Sequence, residues 1–123
     1  MFSSPGGNDA LQSLPYDQAI DNVNDIIDII QEVNPSVTIV IEKLAPARSD
    51  FMVGALASYF TQMQSDVEAI AIQQTTSSSS VIAVDMADGF IDEYLADPVH
   101  YNEAGAKFIA ERYFTELESI LGN

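Results

Sequence analysis

Two short β-branched runs, Val37-Thr38-Ile39-Val40-Ile41 and Val81-Ile82-Ala83-Val84, are separated by a long stretch of helical periodicity. No other feature constrains the fold as much. Antiparallel neighbours can be joined by a two-residue hairpin, whereas parallel ones need a crossover, usually a helix. Neither run alternates apolar with polar residues, which marks strands buried on both faces. The crossover fits: Met52, Leu56, Tyr59, Phe60, Met63, Val67 and Ile70 form one face of a helix expected over about residues 51–72. Gln73 to Ser80, rich in Ser and Thr, reads as a solvated connection.

The flanking segments extend the same pattern. From about Asp17, apolar residues recur at Ile20, Val23, Ile26, Ile27, Ile30 and Val33, with Asp21, Asp25, Asp28 and Glu32 on the other side. Asn34-Pro35 ends that helix, because a residue before proline avoids helical dihedrals. Residues 2–4 form a strand stub ahead of Gly6-Gly7, and residues 86–101 form an irregular loop. Asn102 is placed to cap a last helix with Ala106, Ile109, Tyr113, Leu117 and Ile120 inward. Strands alternating with helices give an α/β fold, a three-layer sandwich around a short parallel sheet, in a single domain over residues 1–123.

Composition narrows the function classes. Nineteen acidic side chains against four basic ones give a net charge of −15. Such a surface repels phosphate backbones, so nucleic acid is not an expected partner. It also favours a fold that tolerates salt, which screens self-repulsion. There is no cysteine, hence no disulfide and no thiolate metal site. No apolar run approaches the roughly 20 residues of a membrane span, and no signal peptide is visible. The default expectation is therefore a cytoplasmic protein with no membrane partner.

Chemistry concentrates at two places. The single histidine, His100, follows Asp97 by three residues in Asp97-Pro98-Val99-His100. Imidazole exchanges protons near neutral pH, and a nearby carboxylate can hold it in one tautomer. Near the start, Pro5-Gly6-Gly7-Asn8-Asp9 combines a glycine pair, which allows a sharp turn, with an amide donor. Such a donor stabilises the oxyanion formed in acyl transfer. Ligand sites of open parallel sheets lie at the strands' carboxyl ends, where both segments fall.

Together, Gly6-Gly7-Asn8-Asp9 and Asp97-Pro98-Val99-His100, with Asn102 and Gly105 after it, resemble the third and fourth motif blocks of the SGNH (GDSL-type) hydrolases. The resemblance spans residues 3–121 and corresponds to about the second half of a family domain. It implies a truncated SGNH, flavodoxin-like fold and an ester hydrolase acting on short-chain acyl or acetyl esters. It further implies His100 as general base, Asp97 as its orienter, Asn8 as oxyanion donor with the Gly7 backbone beside it, and no cofactor or metal. The family's Gly-Asp-Ser block and glycine block are absent from this chain.

The nucleophile is thus left open between Ser3 or Ser4 in the stub, Ser49 in the loop after the first β-branched run, and water activated by His100. A non-catalytic remnant, or one half of a split hydrolase, is the competing reading. The stub, placed at a sheet edge, leads to the expectation of a homodimer through that edge strand. Asp85, Asp88, Asp92, Glu93 and Asp97 match no calcium-loop spacing, so no metal site is expected. Phe90, Tyr94 and Tyr101 are placed either to line an acyl pocket or to pack in the core, and Arg48 to pair with a neighbouring carboxylate.

Overall fold

A computed structural model describes the backbone of residues 2–3 and all of residues 5–122. Ser4 and the side chain of Ser3 lie outside the described residues. The elements are β1 (Phe2–Ser3), α1 (Gly7–Leu11), α2 (Tyr16–Val33), β2 (Ile39–Lys43), α3 (Gly54–Gln74), β3 (Val81–Asp85), a 3-10 turn (Asp92–Tyr94) and α4 (Glu103–Leu121). The sheet is parallel throughout, in the order β1-β2-β3. Val40 pairs with both Phe2 and Ile82, and Ile41 with both Ser3 and Ala83.

Alternate residues of β2 serve opposite faces, as a pleated strand requires. Ile39 and Ile41 join Ala19, Val23 and Ile27 of α2 and Phe60, Met63 and Val67 of α3 in one core. Val40 joins Val84, Met86 and Ile109 of α4 in the other. Two helices therefore cover one face and α4 covers the opposite one, giving the expected three-layer α/β sandwich. No helix among the described residues is long and apolar enough to cross a membrane.

Several boundaries differ from the sequence reading for local reasons. The first β-branched run enters the sheet at Ile39 instead of Val37. Val37 N–H donates to the Asn34 carbonyl, and Ser36 N–H donates to Asn34 Oδ1, so the turn after Pro35 consumes those residues. The strand continues to Lys43, which pairs with Asp85. The second long helix begins at Gly54 because Phe51 and Met52 both donate to the Arg48 carbonyl in a preceding turn. Gly7–Leu11 is a short helix where only a turn was expected.

Ser79, expected on a solvated loop, is buried at 1% exposure. Its hydroxyl donates to the Val37 carbonyl at 2.7 Å and accepts from Gln31 Nε2 at 3.1 Å, tying the serine-rich connection to α2 and the start of β2. Three residues expected inward are exposed: Ile26 at 49% and Val33 at 82% on α2, and Ala106 on α4.

The four cations are each engaged. Lys43 bridges Glu68 at 2.9 Å and Asp85 at 3.1 Å, Arg48 pairs with Asp50 at 2.6 Å, and Lys107 lies 3.8 Å from Glu111. Arg112 donates to the carbonyls of Asp85 and Asp88 and stacks on Phe108. Most of the 19 carboxylates consequently face no cation, and added salt should relieve their mutual repulsion. The thermal midpoint is expected to rise as NaCl increases from low millimolar to molar concentration, measured by circular dichroism. A steady fall would contradict this.

Candidate functional site

His100 owes its orientation to Asp97. Asp97 Oδ1 accepts the backbone N–H groups of Val99 and His100, each at 2.8 Å, and Oδ2 meets His100 Nδ1 at 2.7 Å. Pro98 sits inside this turn and fixes one of its backbone dihedrals. The two N–H donors, with the imidazole, hold the Asp97 carboxyl down at about 2, well below the usual carboxylate range. An ionised carboxylate only accepts hydrogen bonds. Nδ1 must therefore carry the proton, and in the neutral ring Nε2 carries the lone pair.

The loop around this pair is cross-braced. The backbone N–H of Asn102 donates to the Tyr94 carbonyl at 2.9 Å, and its Nδ2 to the Glu93 carbonyl at 2.7 Å. Asn102 Oδ1 accepts from Gly105 N–H at 3.0 Å, which caps α4 as the sequence led us to expect. Ala96 N–H donates to the His100 carbonyl, and Leu95 and Tyr101 form an antiparallel bridge. The loop after β2 is tied in as well, with Arg48 N–H donating to the Pro98 carbonyl at 2.8 Å. Gly105 is packed against this brace: a Cβ there would lie 2.2 Å from the Tyr94 carbonyl oxygen.

The glycine segment approaches from the other side. Gly6 is buried with φ of +93°, a left-handed conformation, and a Cβ there would lie 2.7 Å from Met63 of α3. Glycine thus meets two demands at once, a backbone turn and a close approach. The turn starts α1 and presents Asn8 at the carboxyl end of the sheet. A cleft of about 340 Å³ lies there, lined among others by Gly7, Asn8, Leu44, Pro46, His100 and Tyr101. Its size suits a small molecule. Residues far apart in sequence, Asn8 and His100, thus border one space.

The remaining site expectations separate. Ser49 lines a different depression, with Asp92, Met52 and Phe90. Its hydroxyl and its backbone N–H both donate to the Asp92 carboxylate, so the structure does not bring it together with His100. Phe90 and Tyr94 pack with Phe108 in an aromatic cluster, with centroid separations of 5.2 to 5.6 Å. Tyr101 alone of the three aromatic candidates lines the cleft. Among the described residues, no group of three or more His, Cys, Asp or Glu is placed to hold a metal ion.

One feature escaped sequence reasoning. Glu42 is buried at 6% exposure and accepts a hydrogen bond from the Tyr113 hydroxyl. Burial, together with the nearby Glu42 carboxylate, pushes the Tyr101 phenol up to about 12. The signal was present: Glu42 continues the period of two from Val40 and so points into the same core.

Comparison with known proteins agrees at the level of fold. No family model and no curated protein matches the sequence. Among solved structures, the chain is similar to a carbohydrate esterase family 3 protein from Talaromyces cellulolyticus, with TM-score 0.85 and 23% identity over 98% of this chain and 57% of that one. It is also similar to an acetyl esterase, the mutant S10A with acetate ion, with TM-score 0.80 and 24% identity over 94% of this chain and 55% of that one. The chain thus spans little more than half the length of these proteins.

Three outcomes follow from the geometry. In Asp97→Asn, a side-chain amide replaces the acceptor at Nδ1, so the imidazole should shift toward the tautomer protonated at Nε2. Nitrogen-15 chemical shifts of His100 above pH 8 read this directly, and unchanged shifts would refute it. Because Asp97's folded pKa lies below its ordinary value of 3.8, its contribution to stability is fully present above about pH 4. It is lost as pH falls through about 2. For Gly105→Ala, overpacking against the Tyr94 carbonyl should cost roughly 1–3 kcal/mol by thermal or urea unfolding.

Proposed function

We propose that the chain takes part in hydrolysis of small acyl esters, with acetyl esters as the substrate class. The observation that carries this reading is that Asn8 and His100 border one cleft, the latter with Nδ1 bound to Asp97. Resemblance to the SGNH motif blocks, and a fold shared with an acetyl esterase and a carbohydrate esterase, add support.

The chemistry runs as follows. An ester carbonyl lies in the cleft with its oxygen toward the Asn8 amide and the Gly7 backbone. His100 Nε2 takes a proton from the attacking oxygen as that oxygen bonds to the acyl carbon. The carbonyl oxygen becomes an oxyanion, stabilised by the Asn8 donor. The intermediate collapses, the alcohol departs, and His100 returns the proton to it. Asp97 stays ionised throughout and stabilises the imidazolium. In this reading the attacking oxygen is that of water, since Asp92 engages the Ser49 hydroxyl and no serine or threonine is among the described residues lining this cleft; Ser4 and the side chain of Ser3 lie outside the described residues.

Hydrolysis of p-nitrophenyl acetate tests the reading. His100→Ala should lower the rate by about 10²–10⁴-fold, and Asn8→Ala should lower kcat by about 10²–10³-fold. Equal rates in wild type and His100→Ala would remove the proposal.

A further inference from the structure

We propose that Leu11 sets the acyl-chain length this site accepts. It stands between the cleft and a separate apolar groove, and the groove takes the alkyl part of an acyl group longer than acetyl. The inference deepens the hydrolase reading and rests on it.

Three observations lead there. First, the two spaces share a wall. Leu11 ends α1, one helical turn beyond Asn8, and lines both the cleft and a groove of about 440 Å³. Leu14, Tyr16, Phe51, Leu56 and Tyr59 are among the groove's other walls. Second, the groove offers an occupant little but apolar surface. The Tyr16 hydroxyl donates to Asp66 at 2.6 Å. The Tyr59 hydroxyl is buried, with no hydrogen-bond partner among the described residues, so it exposes no polar atom. Ser13 is the one other polar residue of the described lining. Apolar walls with few polar groups are the usual make-up of a ligand site. Third, Leu11 and Phe51 are 41% and 42% exposed, and neither belongs to the two buried cores. Folding draws little on these two side chains, and both border the groove.

The reaction geometry selects which half of the ester enters the groove. At the tetrahedral carbon the oxyanion faces Asn8, while the attacking and departing oxygens both need His100 Nε2 within reach. The acyl substituent is the group left to point away from the imidazole. Val99, His100 and Tyr101 line the cleft, whereas no described residue of the histidine loop lines the groove. A chain that leaves the cleft past Leu11 therefore runs away from His100. The alcohol, which takes its proton from the imidazole, stays on the other side. An acetyl group offers this path a single methyl, and every further methylene lengthens the apolar contact.

The test has a binding arm and a kinetic arm. For binding, methyl butyl, methyl pentyl and methyl hexyl ketone are titrated into the chain. Each presents a carbonyl to the cleft and an alkyl chain to the groove, and none can be hydrolysed. The methyl resonances of Leu14 and Leu56 should shift together with the Asn8 side-chain amide. The dissociation constant should fall roughly fourfold per added methylene. Phe51→Asp should leave the thermal midpoint nearly unchanged, because Phe51 is outside both cores. It should nonetheless weaken binding of methyl hexyl ketone by about tenfold or more. For kinetics, Leu11→Ala removes the shared wall. It should raise the ratio of kcat/KM for p-nitrophenyl octanoate over p-nitrophenyl acetate by about threefold or more.

Unmoved Leu14 and Leu56 methyls with all three ketones would overturn the proposal, as would an affinity indifferent to chain length. A rate preference that follows the alcohol chain of octyl acetate, and not the acyl chain of ethyl octanoate, would refute the acyl assignment. An unchanged rate ratio in folded Leu11→Ala would strip that residue of its role. In a chain without measurable hydrolysis the ketone shifts alone decide. Ketone binding in the groove, with equal p-nitrophenyl acetate hydrolysis by wild type and His100→Ala, sustains the groove and counts against the hydrolase reading. Hydrolysis lost in His100→Ala, with Leu14 and Leu56 unmoved by the ketones, does the reverse.

Discussion

Everything in this chain hangs from β2. It is paired with β1 on one edge and β3 on the other, and its residues 39–41 are buried at 1–2% exposure. A strand so enclosed permits no register slip, since one step would turn Ile39 and Ile41 into the core that holds Val40. That rigidity extends past its carboxyl end. Gln64 Nε2 of α3 holds the Leu44 carbonyl at 2.7 Å, and Met86 N–H donates to the Lys43 carbonyl. The loop that leaves β2 then meets the histidine loop through Arg48 and Pro98. The site is therefore a set of loops anchored to one strand end, not a free surface turn.

The sequence made the architecture legible because helix and strand periods are local and redundant. Val81–Asp85 and the Asn102 cap of α4 were recoverable, since one is a β-branched run and the other is fixed by a side chain acting on its own helix. The Asp97–His100 contact was equally recoverable, because three-residue spacing brings the pair within reach in a tight turn. Proximity of Asn8 to His100 depended on long-range packing. It became an expectation through the rule that ligands gather at strand carboxyl ends, together with the motif resemblance.

What stayed hidden has a common cause. Ser79 looks like its three serine neighbours, yet tertiary contacts with Gln31 and Val37 single it out for burial. Glu42 looks like a surface residue by type, and only its strand parity places it beside Tyr113. Ser49 sits in the loop that follows β2, at the sheet's carboxyl end, but Asp92 claims its hydroxyl. Ile26, Val33 and Ala106 obey helical periodicity and still face solvent. Periodicity reports which face of a helix is apolar, not how much of that face this chain can cover.

Electrostatics bear on the site in a specific way. Asp97 could have needed a cation to remain charged among so many carboxylates. It has instead two backbone N–H groups and the imidazole, which are short-range and little affected by salt. A tautomer fixed by such bonds survives where long-range fields are screened. The global charge and the local pair can therefore vary independently: the acidic surface sets self-repulsion, while the turn at Pro98 sets which imidazole nitrogen meets Asp97 and which is left for other partners. A site built this way tolerates an extreme surface because nothing in its geometry draws on that surface.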